Sequence, residues 1–194
     1  MSDPLDTAPD PTAPDATAPD PTAPDPSASE PTAPERPASG GKPGTPSIYE
    51  WAGGIDALNR LTEVFYDHVL KDPLLAPVFA GMDPRHPQHV AMWLAEVFGG
   101  PAGYTERRGG HPHMAQQHLG RGITEPQRRR WVELLLDTAD EVGLPSDPEF
   151  RGVFLYYIEW GTRMALIYSG ENPPPVDAAE VPVWQWGQTP PWQG

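Results

Sequence analysis

The chain has 194 residues, 28 of them proline, no cysteine and a net charge of −14. Without cysteine there are no disulfides, thiolate metal sites or iron–sulfur clusters. The negative charge disfavours non-specific binding to nucleic acid or to an anionic membrane, and no run of eighteen apolar residues offers a membrane span. A cytoplasmic protein is the expectation.

Residues 1–46 repeat Thr-Ala-Pro-Asp or Thr-Ala-Pro-Glu from Thr7, Thr12, Thr17, Thr22 and Thr32, with almost no aliphatic side chains. Proline fixes φ and removes a backbone donor, and carboxylates at five-residue spacing repel one another. A disordered, polyproline-II-rich tail is therefore expected. Up to Thr45 it holds eight acidic and two basic residues, which leaves −8 for the remainder. It has neither the basic start nor the apolar run of a signal peptide. It is either a solubilising segment or an acidic, Pro-rich docking peptide.

At Ser47 the composition changes: Ile48, Tyr49 and Trp51 bring apolar bulk before Gly53-Gly54. Leu58, Leu61, Phe65 and Val69 then recur at helical spacing, which predicts a helix over about 55–70. Tyr66 lies beside this stripe, as a boundary tyrosine with a wet hydroxyl or as one whose hydroxyl enters a pocket. Asp72-Pro73 begins a short predicted helix ending at Phe79, which on its own is a core phenylalanine. In the next predicted helix, Arg85 to Phe98, the residues His86, Val90, Trp93, Leu94 and Val97 form one continuous face. Its single ionisable member, His86, stands at the N-terminal end, where a lone histidine usually caps or meets solvent.

Gly99-Gly100-Pro101 stops that helix, and a loop follows with Tyr104, Arg107, Arg108 and a second Gly-Gly pair. A short helical segment then passes through His111 and His113 and ends at His118, with Gly120 and Gly122 permitting a bend. Thr124, with glutamine at the third helical position, starts a helix through Trp131, Leu134, Leu135 and Thr138 to about Val142. Trp131 taken alone is a core tryptophan. Arg128, Arg129 and Arg130 point in three directions and read as a solvated face. Asp147-Pro148-Glu149 opens the last long helix, with Phe150, Phe154, Tyr157, Ile158, Trp160, Met164 and Leu166 as bulk. An all-α domain of roughly 120 residues is enough for one core. Beyond Tyr168, Trp184 and Trp186 either pack back on the domain or form an interaction motif. The expected organisation is a tail at 1–46, a helical domain at 47–168 and a Pro/Trp-rich extension at 169–194.

From Gly99 the chain reads GGPAGYTERRGG, then HP, then His118 six residues after that proline, then Trp131 thirteen residues further on. Upstream it reads VFYDHVLKDPLLAPVF. In these pieces the stretch from roughly Ser47 to Tyr168 resembles a group II truncated haemoglobin. The resemblance implies a two-over-two helical sandwich holding haem b, with His118 as the proximal iron ligand. It places Tyr66 and Trp131 as donors to a bound gas, His86 at the entrance to the distal pocket and Val90 over the iron. Phe79 and Trp93 would pack on the porphyrin, with Tyr104, His89 and His111 at its propionate edge. The chain departs from many relatives in carrying Gln116 and Gln117, not arginine or lysine, just before His118.

A neutral imidazole whose second N–H is held by a carbonyl or carboxylate is what an axial position needs. The function implied is reversible binding of O2, CO or NO, with NO dioxygenation or peroxidase-like turnover where a reductase supplies electrons, in a monomer or homodimer. Two other readings compete. One is a non-haem metal protein using His86, His89, His111, His113 and His118, whose spacings suit metal ligands. It lacks a carboxylate at Glu-x-x-His spacing, and Pro87 and Pro112 interrupt the pairs. The other is a helical scaffold that presents the two Pro-rich tails.

Overall fold

The computed structural model describes residues 44–187; residues 1–43 and 188–194, and with them nearly all of the expected disordered tail, lie outside the described residues. Among the described residues the chain is helical throughout, with no strand. The helices are α1 (Ile48–Trp51), α2 (Gly54–Val69), α3 (His86–Val97), α4 (Gly103–Arg108), α5 (Gly110–His118), α6 (Glu125–Glu141) and α7 (Pro148–Ser169).

Local chemistry sets most of these boundaries. Ser47 and Glu50 cap α1 reciprocally, each side chain accepting from the other's amide, and Thr124 and Gln127 do the same for α6. Each such pair satisfies two amides that a helix start otherwise leaves bare. The Asp147 carboxylate accepts from the Phe150 amide and also from the Trp51 indole at 2.9 Å, which ties the start of α7 to α1. At the end of α3, Gly99 turns the chain with φ +85°. Gly100 has a different duty: a Cβ there would lie 2.7 Å from Tyr49 Cγ and 2.8 Å from the Ala95 carbonyl. Only glycine lets α1 close onto the end of α3.

Two helix pairs, α2 on α3 and α6 on α7, meet through α2 and α6, and α5 lies against α7. This is the two-over-two sandwich. Leu58, Leu61, Phe65 and Val69 of α2, Phe98 after α3, and Phe150 and Phe154 of α7 are wholly buried between them. Each such side chain contributes about 1.5–3 kcal/mol over its exposed state.

In four places the structure departs from the sequence expectation or decides it. Residues 72–79 are a chain of turns, not a helix: the Asp72 carbonyl takes the amides of Leu75 and Ala76, then Leu75 takes Val78 and Ala76 takes Phe79. Pro73 and Pro77 have no N–H, so a regular ladder cannot form. Residues 103–108 are helical and not loop. The buried Glu96 carboxylate, from α3, accepts the amides of Tyr104 at 3.1 Å and Thr105 at 2.9 Å and so caps α4 from a distance. The arginine run is not a uniformly solvated face. Arg128 is buried and donates to Glu125, Glu159 and Thr162. Arg130 reaches Asp72 at 2.7 Å and holds its carboxyl below the usual range, and only Arg129 of the three is exposed. Lastly, the two tryptophans of the extension pack back. The Trp184 amide donates to the Val97 carbonyl at 2.6 Å, and the Trp186 indole donates to the Pro46 carbonyl at 2.7 Å while meeting Trp51 edge-on.

Candidate functional site

The helices leave a cavity of about 480 Å³ lined from α2, α3, α4, α5, α6 and α7 and from the turns before α3. That is the size of a pocket that encloses a small-molecule cofactor. The ten residues singled out from the sequence, His118, Tyr66, Trp131, His86, Val90, Phe79, Trp93, Tyr104, His89 and His111, all line it. His113 does not; its Nε2 sits 3.0 Å from the Arg108 guanidinium.

His118 closes α5. Its Nδ1–H donates to the Met114 carbonyl one turn back, at 2.9 Å. That bond fixes the tautomer and leaves Nε2 with a bare lone pair. Burial holds the imidazole below its ordinary pKa, partly offset by the Met114 bond, so it is neutral at pH 7. Gly120 (φ +69°) and Gly122 (φ +62°) then turn the backbone back, and the Gly122 amide is tied to the Ser169 carbonyl at the end of α7.

A second polar cluster joins α2, α3 and α6. The Tyr66 hydroxyl lies 3.0 Å from His86 Nε2, and the Trp131 indole stands beside it in the same cavity. An indole N–H can only donate, and the direction of the Tyr66–His86 bond follows the tautomer of the imidazole. Burial pushes the Tyr66 hydroxyl well above its ordinary pKa and keeps it a donor. Phe65 meets both rings edge-on, at 4.9 Å from Tyr66 and 4.8 Å from Trp131, and Phe79 meets Tyr66 at 5.5 Å. Trp93, whose indole donates to the buried Tyr157 hydroxyl, packs on Tyr104 at 5.1 Å.

Burial, with the positive charge of His89 and His118 added, lowers His86 from 6.5 to about 4. The unfolded chain takes up that proton near pH 6.5, whereas the folded pocket resists it until about pH 4. His86 therefore adds stability that is fully present above pH 6.5 and is withdrawn as the pH falls toward 4, on the order of 3 kcal/mol in all. Denaturant unfolding of the cofactor-free protein between pH 7 and 4 should show a shallower acid loss in His86→Gln than in the parent. Identical losses would mean that His86 charges without cost.

One residue that the sequence did not single out, Arg108, stands at the rim beside His111. Arg108 bonds His113 and stands near the Tyr104 hydroxyl, yet its Nε is buried with no partner, and so is His111 Nδ1. Among the described residues three buried side-chain polar atoms lack a partner, and these two belong to residues lining the cavity. An orphaned buried polar group costs roughly 1–3 kcal/mol, which a ligand bearing acceptor oxygens would recover. An outer cleft lined by Arg85, His89, Arg107 and Arg108 adjoins this rim. Arg108 could not be singled out in the sequence, because its burial depends on α4 being helical. Among the described residues no three His, Cys, Asp or Glu side chains converge as a metal set, which leaves the protein-only metal reading without a site. No helix among them is long and apolar enough to cross a membrane.

An aromatic slot with one bare imidazole nitrogen, a donor cluster and a cationic rim fits a flat iron porphyrin with carboxylate side chains. Comparison with known proteins agrees. The bacterial-like globin family matches residues 47–151. The group 2 truncated hemoglobin YjbI of Bacillus subtilis is 33% identical over 94 residues, which are 48% of this chain and 70% of that protein. The solved truncated oxygen-avid haemoglobin from Bacillus subtilis superposes with a TM-score of 0.56 at 30% identity, over 62% of this chain and 99% of the other. The group II truncated haemoglobin of Bacillus anthracis, at 24% identity and a TM-score of 0.57 over 67% and 95%, shares the fold. Globins are haem proteins that take up gaseous ligands such as O2, and this chain belongs to the bacterial-like globin family as a truncated haemoglobin of the group II type.

Proposed function

We propose that residues 47–168 hold one haem b through His118 Nε2 and bind O2 reversibly, with Trp131 and Tyr66 as the donors to the gas. The observation that carries this reading is the pairing, in one aromatic cavity, of an imidazole whose Nδ1 proton is committed to a carbonyl with a Trp–Tyr donor cluster. Haem would supply the iron that takes the gas and that relays the electrons of any redox turnover. The protein's own part is binding, orientation and exclusion of water. The Met114 carbonyl orients His118 and raises its basicity. Val90, Phe79 and Trp93 supply apolar wall. His86 pairs with the Tyr66 hydroxyl, which leaves the Trp131 N–H as the donor least committed elsewhere. Arg108 and His111, with Tyr104 and His89, offer the nitrogens and hydroxyl that the propionates require.

The oxygen avidity named for the Bacillus subtilis relative supports O2 as the ligand. CO and NO would enter the same cavity, and an electron-donating reductase in the cytoplasm would extend the chemistry to NO dioxygenation. Titration with hemin tests the reading: binding should saturate at one per chain and yield a reduced spectrum that shifts under carbon monoxide. Absorbance that keeps the form of free hemin at every ratio would overturn it.

A further inference from the structure

The pocket's aromatic wall continues through the molecule to solvent. Trp160 lines the cavity. Its ring lies 5.1 Å from that of Trp184, and Trp184 lies 5.4 Å from Tyr156, centroid to centroid. Tyr156 is 65% exposed, the most open of the large hydrophobic side chains among the described residues. Rings at these spacings are in contact, so electron exchange between neighbours is not limited by distance. Trp184 belongs to the extension beyond the part of the chain that the globin family matches, and its backbone is pinned to the end of α3 by the bond to Val97.

We propose that Trp160, Trp184 and Tyr156 form an electron path from the haem pocket to the surface, with Tyr156 as the exposed phenol that is oxidised at its end. The proposal rests on the haem reading above. The co-reactant is hydrogen peroxide, which takes up two electrons and two protons to become two waters and leaves the haem centre two electrons short. Each electron is replaced singly. One passes from Trp160 to the centre, one from Trp184 to Trp160 and one from Tyr156 to Trp184, and Tyr156 releases its phenolic proton to solvent as it becomes a neutral radical. An external phenol then gives Tyr156 an electron and a proton, and a second passage along the same path supplies the second electron. Without such a phenol, two Tyr156 radicals on separate chains join carbon to carbon as dityrosine and each centre is left one electron short.

The structure favours this route over its neighbour. Tyr157 also touches Trp184, at 5.2 Å, but it is buried away from solvent and its hydroxyl accepts from Trp93. Trp184 Nε1 is itself buried with no acceptor. An oxidised Trp184 therefore keeps its proton and passes the charge on, and only at Tyr156 does solvent remove a proton and trap the oxidation.

The test treats the full-length, haem-loaded chain with one equivalent of peroxide. Rapid-freeze EPR reads tyrosyl radical, and peptide mapping reads dityrosine. The parent should give radical and cross-links at Tyr156, Tyr156→Phe should lose both, and Trp184→Phe should lose both while consuming peroxide at the parental rate. Phenylalanine keeps a ring in place but is not oxidisable under these conditions, and an unaltered carbon monoxide spectrum shows that the pocket of the variant is intact. Tyr156 cross-links in Trp184→Phe at the parental level, or oxidation confined to residues inside the pocket, would overturn the path and leave the haem reading standing. A chain with no haem spectrum before peroxide is added would overturn both.

Discussion

Phenylalanine at position 131 should release O2 roughly ten- to a hundred-fold faster than the parent chain, the range that the loss of one charge-assisted hydrogen bond of about 1.5–3 kcal/mol predicts. O2 takes on negative charge when it is held at a haem iron, so a nearby N–H donor slows its escape. The indole of Trp131 has one such proton and lines the cavity. Phenylalanine retains a ring against Phe65, which now stands 4.8 Å from Trp131, so the wall survives while the donor is lost. Carbon monoxide takes on almost no charge, and its release should change far less. Stopped-flow release of both gases from the two proteins separates these effects. An O2 rate equal to the parent's would remove Trp131 from ligand binding, and an equal acceleration of both gases would assign it a steric role.

The fold was legible where the cause is local. The Thr124–Gln127 pair, the Asp147-Pro148 start and the Leu58–Leu61–Phe65–Val69 stripe lie within a few residues of what they control. The misreadings have remote or subtractive causes. Helix α4 is capped by Glu96, on the preceding helix, and no propensity in residues 103–108 announces it. Prolines 73 and 77 fit a short helix by hydrophobic pattern but remove the donors it needs. Arg128 is buried only because Glu125 and Glu159, on two helices, meet it.

The pocket was legible in a different sense. Taken singly, Tyr66, Phe79, His86 and Trp131 each had an ordinary structural explanation, and only the resemblance gathered them. The structure adds what neither route contained. One is the bond between Tyr66 and His86, twenty residues apart on α2 and α3. Another is the unpartnered Arg108 Nε at the rim. The third is the contact of Trp184 with Trp160, which needs the extension to fold back across α7.

Haem binding through His118 is tested most directly by the absorption spectrum of His118→Ala after hemin addition: oxidised, then reduced, then reduced under carbon monoxide. Alanine removes the imidazole whose Nδ1 is anchored to Met114, and because that bond is to the backbone of α5 itself, it leaves no buried partner charge behind. The parent is predicted to give a sharp haem spectrum that shifts with carbon monoxide. The variant should fall back to the broad absorbance of free hemin while its helical circular dichroism is retained, and added imidazole should restore the spectrum. A variant that keeps the parental spectrum and carbon monoxide shift without added imidazole would contradict the assignment and move the axial position to another histidine of the cavity, His86, His89 or His111.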